Sequence, residues 1–172
     1  MNLKNPFNNK KNSRNYLLKN GKLINIKEKK IENKDILLEN KKIKQIKKEI
    51  NISSKDLEVI DCDGLMIAPG FVDMRVNIGE PGSEHKETIK SVSMSAASGG
   101  ITSLICMPNT SPPIDQPAII QSIQRKAREV ALSKFYCTGC ITRGATGKEI
   151  CELQLMKESG AVGFTDGYKS IS

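Results

Sequence analysis

Residues 68–82, APGFVDMRVNIGEPG, decide how the rest of the chain is read. Pro69-Gly70 breaks whatever precedes it, GFVDMRVNI (70–78) has the apolar character of a buried strand, and NIGEPG (77–82) is a polar turn. Downstream, the same unit recurs. HKETIKSVSMSAASGG (85–100) has helical spacing through Thr88, Val92 and Ala96 and ends on Gly99-Gly100. ITSLICMPN (101–109) is a second buried strand, and PAIIQSIQRKAREVAL (117–132) a helix opened by Pro117. KFYCTGCI (134–141), KEICELQLMKESG (148–160) and AVGFTDG (161–167) complete a β-α-β-α-β-α-β series with a period of about 30 residues. Parallel strands joined by right-handed crossovers follow from that order. Four such strands form either half of an eight-stranded barrel or an open sheet, and a complete (β/α)8 barrel takes roughly 250 residues.

Upstream the rhythm differs. YLLKNGKLIN (16–25), DILLENKKIKQI (35–46) and EVIDCDG (58–64) read as short strands, with hairpin turns expected at Asn20-Gly21 and Glu39-Asn40-Lys41. The expected organisation is a disordered basic N-terminus over 1–15, a small β-sandwich module over 16–67 and a partial barrel over 68–172.

The formal net charge is +8 over 172 residues, and its distribution argues against a nucleic-acid partner. Residues 1–60 hold 16 Lys and Arg against 7 acidic residues, while residues 61–172 hold 11 against 12. The excess coincides with abundant Asn, a pattern of compositional drift, and offers no stacking platform for bases. No apolar run reaches the length of about 18 residues that a membrane span needs, and no signal-type segment follows the basic N-terminus. A cytoplasmic protein is expected. The five cysteines, Cys62, Cys106, Cys137, Cys140 and Cys151, are an odd set in a chain without an export signal and read as free thiols. Cys137-Thr-Gly-Cys140 lacks the second pair or the histidines that a closed zinc site requires, His85 being the lone histidine.

In parallel α/β folds the functional groups project from the C-terminal strand ends. That rule places Arg75, Asn77, Glu80, Asn109, Thr110, Asp115, Arg143 and Asp166 on one rim. Residues two apart on a strand share a face, so Arg75 and Asn77 point the same way.

At these residues the chain resembles the N-terminal part of a dihydroorotase of the amidohydrolase superfamily. The likeness is carried by LLKNGKLIN (17–25), VIDCDGLMIAPGFVDM (59–74), EPGSEHKETI (80–89), AASGGITSLICMPNTSPPID (96–115) and GAVGFTDG (160–167). It implies an α/β fold, the N-terminal half of a metallo-dependent hydrolase TIM-type (β/α)8 barrel preceded by a small antiparallel β-module. It implies reversible hydrolysis of dihydroorotate to N-carbamoyl-aspartate with divalent metal, usually zinc. The family's first strand reads D-x-H-x-H followed by an Arg; those positions match Arg75, Asn77 and Gly79 here. Asn109 matches a substrate-contacting Asn, and Asp166 a metal-ligating carboxylate of one family branch.

Arg cannot offer a lone pair, and an Asn carbonyl is a poor zinc ligand. The expectation is therefore a truncated, catalytically inactive relative with no catalytic residue and no cofactor, in which Asp166 alone survives as a ligand-type position. Alternatives are a non-catalytic scaffold for a carbamoyltransferase, since RVN-x-GEPG resembles metal-free paralogues with that role, or half of a split hydrolase completed by a second chain. Self-association would also cover exposed sheet edges.

Overall fold

The computed structural model describes residues 15–169, so the expected disordered segment lies outside the described residues except for Asn15, which opens the first strand. The chain divides into two compact units at Pro69/Gly70.

The first unit is one five-stranded sheet built from β1 (Asn15–Asn25), β2 (Lys30–Glu39), β3 (Lys42–Lys47), β4 (Leu57–Asp61) and β5 (Met66–Ile67). β1–β2 and β2–β3 pair antiparallel, whereas β4 and β5 join β1 in parallel. The module is thus a single mixed sheet and not an antiparallel sandwich. The segment from Lys48 to Asp56 is long enough to return β4 alongside β1, which a tight hairpin could not do. Asn40 and Lys41, with φ of 50° and 64°, make the two-residue turn between β2 and β3, the left-handed geometry that suits strand twist.

Asn20-Gly21 belongs to a β-bulge inside β1 and is not a hairpin turn: between the Leu18–Ile36 and Gly21–Lys34 pairs, Lys19 and Asn20 of β1 oppose the single Asp35 of β2. Buried Asp35 fixes it. Its Oδ1 accepts the Asn20 backbone N–H at 2.9 Å and its Oδ2 accepts that of Ile50 at 2.9 Å. A Cβ at Gly21 would lie 2.2 Å from the Ile67 side chain, which packs over the glycine where β5 joins β1 and would have to turn aside for any larger residue. Leu17, Leu37 and Ile50 form the small core, with Leu57 against it.

In the second unit β6 (Phe71–Val76), β7 (Ile101–Cys106), β8 (Lys134–Gly139) and β9 (Ala161–Phe164) are parallel neighbours in chain order. Helices α1 (Ile89–Ser98), α2 (Pro117–Val130) and α3 (Leu153–Glu158) connect them. A doubly wound open sheet reverses its strand order at a switch point; this one does not reverse, so the winding is of the barrel type.

α1 starts four residues later than the spacing of its apolar residues suggests, because Thr88 caps it. The Thr88 side chain accepts the Ser91 N–H, and Ser91 Oγ answers the Thr88 N–H in a reciprocal capping box. α3 starts at Leu153 and not near Lys148, because residues 150–151 are drawn into a pairing with the preceding loop: Ile150 bridges Thr142, and Cys151 N–H donates to the Ile141 carbonyl at 2.8 Å.

Strand alternation sorts the side chains. Leu104 faces Phe135 across the register, and Cys106, Cys137 and Ala161 line up in the same way. All of these pack with Ile89, Ile120, Ile123 and Met156 of the helices in one core. The opposite sheet face carries Val72 beside Ser103 and Ile105 beside Tyr136. No helix of the described residues covers it: Val72 is 57% exposed and Tyr136 37%. No helix of the described residues is long and apolar enough to cross a membrane.

Ile120 is fully buried on α2 against the sheet. Ile120→Ala is expected to lower the unfolding free energy by about 3 kcal/mol through lost burial and the cavity left behind. Chemical denaturation of the full chain checks this.

Candidate functional site at the strand ends

At the C-terminal end of β6 the alternation continues past the strand. Val76 and Ile78 turn into the core, so Arg75 and Asn77 project together from the other side and are exposed. Both meet Tyr168, just beyond β9. The Arg75 guanidinium carbon lies 5.8 Å from the centre of the Tyr168 ring, and Asn77 Nδ2 donates to the Tyr168 hydroxyl at 2.9 Å. First and last strands of the sheet are thereby linked over its rim by a cation–ring contact and a hydrogen bond.

The loop after β6 is tightly wound. A Cβ on Gly79 would lie 2.3 Å from the Glu87 carbonyl oxygen and 2.6 Å from that of Ser83, both backbone atoms. This position therefore takes no side chain while the loop keeps its path. Glu80 turns away from the rim: its Oε2 accepts the Ile89 N–H at 2.9 Å and its Oε1 lies 3.9 Å from Lys126 Nζ. The loop after β7 is stitched to it, with Ser111 N–H donating to the Pro81 carbonyl at 3.0 Å. Asn109 is exposed at the start of that loop, and Thr110 Oγ1 donates to the Pro112 carbonyl at 2.7 Å. His85 is exposed in the loop after β6.

Asp166, following β9, is buried and organises the loop after β8. Its Oδ1 accepts the N–H groups of Ile141 at 2.7 Å and Thr142 at 2.9 Å, and its Oδ2 accepts the Thr142 hydroxyl. Burial by itself would raise this carboxyl, but the hydrogen bonds from the Thr142 side chain and from the two backbone amides outweigh it and hold the group below its ordinary range. Gly147 N–H in turn donates to Thr142 Oγ1 at 2.8 Å, extending the network. Asp115 holds the same loop from the β7 side, its Oδ2 accepting the Gly144 N–H at 2.9 Å. Arg143 pairs with Glu149 at 3.1 Å at the surface.

Cys137 and Cys140 are free and fully buried. Burial, with the negative charge of Asp166 and further contributions from Cys151 and Asp115, pushes the Cys140 thiol up to about 12. It is a protonated packing group at neutral pH.

The structure thus brings Arg75 and Asn77 together at one place, and Asp166 and Asp115 together at another, around residues 141–144. Asn109 and Glu80 belong to neither group. Tyr168 and Thr142 carry much of the arrangement and were not singled out in the sequence, although Tyr168 directly follows the Thr-Asp-Gly turn. The donor set at β6 does not suit a catalytic zinc: a guanidinium, an amide and a phenol stand where imidazoles would be needed. Three of the hydrogen-bonding places on Asp166 are already taken, and among the described residues no group of three His, Cys, Asp or Glu side chains could hold a metal ion.

Parallel strands in chain order, helices on one face and loops converging at the C-terminal strand ends define a segment of a (β/α) barrel. The Dihydro-orotase-like family model matches residues 64–172. The dihydroorotase of Caldicellulosiruptor saccharolyticus is 43% identical over 155 residues, covering 90% of this chain and 36% of that protein. The dihydroorotase of Aquifex aeolicus is 45% identical over 116 residues, covering 67% of this chain and 28% of that protein. Among solved structures, the L-hydantoinase (dihydropyrimidinase) from Arthrobacter aurescens superposes with a TM-score of 0.75 at 28% identity, over 87% of this chain and 32% of that one. This chain belongs to the Dihydro-orotase-like family, and it spans roughly a third of the length of the relatives it matches. Its α/β fold is that of the N-terminal half of a TIM-type hydrolase barrel after a small β-module.

Asp166→Asn replaces a carboxylate oxygen that accepts the Thr142 hydroxyl and removes the charge from all three hydrogen bonds. The expected loss is about 2 kcal/mol of stability at neutral pH. Because the folded carboxyl lies below its ordinary value of 3.8, its contribution is present above that pH and is lost as the pH falls through the depressed value. Denaturation of wild type and variant at neutral pH and in acid should show the gap between them closing in acid.

Proposed function

We propose that this chain is a dihydroorotase-like protein whose barrel rim does not carry the family's hydrolytic metal centre. The family reaction, reversible hydrolysis of dihydroorotate to N-carbamoyl-aspartate in pyrimidine biosynthesis, is then one that this chain does not perform by itself. The observation that carries the reading is the joint engagement of Arg75 and Asn77 by Tyr168, at the strand positions where the family pattern has its histidine pair. A guanidinium stays protonated and brings positive charge to the place where a metal would have to sit, so it opposes a cation there. Gly79 adds to this, since the backbone around it leaves no room for the arginine that follows the histidines in the family pattern.

A second reading concerns what such a chain is for. The uncovered sheet face with Val72, Ile105 and Tyr136 favours a protein that works against a partner. Two partners fit: a chain that supplies the remaining strands, or a carbamoyltransferase for which this chain is a scaffold.

Elemental analysis of the purified full chain, together with dihydroorotate hydrolysis in added zinc, tests the first reading. Substoichiometric zinc and no turnover are expected; one zinc per chain with turnover would overturn it. Co-expression with the host's carbamoyltransferase, followed by native mass spectrometry, tests the scaffold reading, for which a defined complex is the expected outcome.

A further inference from the structure

We infer that a second copy of this chain completes the barrel: two copies close edge to edge, β9 of each pairing in parallel with β6 of the other, into one eight-stranded barrel. This rests on the reading that the chain works against a partner, and it names that partner. Three observations carry it. The strands run β6-β7-β8-β9 in parallel without reversal, and among the described residues no strand pairs with the outer edge of β6 or of β9. Each edge thus presents backbone donors and acceptors that a further strand would pair. The sheet is also drawn together toward its uncovered face. Tyr168 beyond β9 reaches Asn77 beyond β6 at 2.9 Å, although three inter-strand steps of about 4.8 Å lie between the two strands. The helices pack on the other, convex side, as they do around a closed (β/α) barrel. Finally, β9 reads Ala-Val-Gly-Phe, without the lysine or proline that ordinarily blunts an edge strand, and its Val162 is 52% exposed.

Symmetry sets the number of copies. Eight strands is the barrel size whose interior is filled by its own side chains, and four strands per copy reach it at two. A two-fold axis along the barrel keeps all eight strands parallel and makes the two seams identical, so the assembly closes on itself and leaves no edge for further growth. Val72, Ile105 and Tyr136 of each copy then face those of the other across the interior. A different partner would need parallel strands with the same curl and matching edges. A second copy has both.

Sedimentation equilibrium of the full chain over a range of concentrations gives the first test: a species of twice the 18.9 kDa chain mass is expected, with none larger. Val162→Lys places a charge at the seam and should raise the dimer dissociation constant by about tenfold or more. Cysteine pairing tests the seam itself and serves if Val162→Lys fails to fold. Val162→Cys is mixed in turn with Val72→Cys and with Met74→Cys, all exposed positions, under mild oxidation. Within one copy β6 and β9 stand roughly 14 Å apart across the sheet, beyond the Cα separation of about 7 Å that a disulfide tolerates. A cross-linked dimer is expected in at least one mixture and in no single variant alone. A monomer at every concentration, an open series of larger oligomers, or a dimer that cross-links in neither mixture would overturn the proposal. A monomer that still forms the complex with the carbamoyltransferase overturns the second copy alone, whereas a monomer that forms none overturns the partner reading beneath it as well.

Discussion

The barrel unit depends on the two-residue period of its parallel strands, which register shifts interrupt within β6 and between β8 and β9. Along β6 and just beyond it, Val76 and Ile78 enter the helix-covered core while Arg75 and Asn77 leave on the other side. Across β7, β8 and β9 the register holds Leu104 with Phe135, and Cys106 with Cys137 and Ala161, on that same core side. A slip of one residue in any strand would exchange the two sets, burying a guanidinium and exposing the apolar core, so packing energy and site geometry are set by one constraint. The hydrogen bonds at Asp166 then add what strands alone lack, a fixed path for the loop after β8.

Much of this was legible in the residues. The recurrence of strand and helix from Gly70 onward carries parallel connectivity in its spacing, and the rim positions follow from it. What the periodicity left open, barrel or open sheet, is a matter of strand order, which depends on which strands pair and has no local signature. The misread elements have local physical causes. Asn20-Gly21 has the composition of a hairpin turn, but buried Asp35 captures the Asn20 amide and makes a bulge of it. α3 is shorter than its apolar spacing because residues 150–151 pair with the loop before them. Tyr168 could not be assigned from spacing at all, since its importance lies in reaching back over 91 residues to Asn77.

The side chains at the rim are coherent with one another. Arg75 and Asn77 put a permanent cation and an amide side by side, one over the Tyr168 ring and the other donating to its hydroxyl. The buried thiols belong to a different economy. Cys137 and Cys140 sit at the end of β8 as small packing groups, and the raised Cys140 thiol removes it from ion chemistry at neutral pH.

Gly79 gives the loop after β6 a direction in sequence space. With the backbone oxygens of Ser83 and Glu87 closing on the place where a Cβ would sit, any side chain at that position must wait until the 83–87 turn has moved. Changes at Arg75 and Asn77, which are exposed, face no such order. The path from this rim to one that grips its ligand from position 79 thus runs through a loop rearrangement first and a point substitution second. A lineage making single replacements would meet a ratchet there.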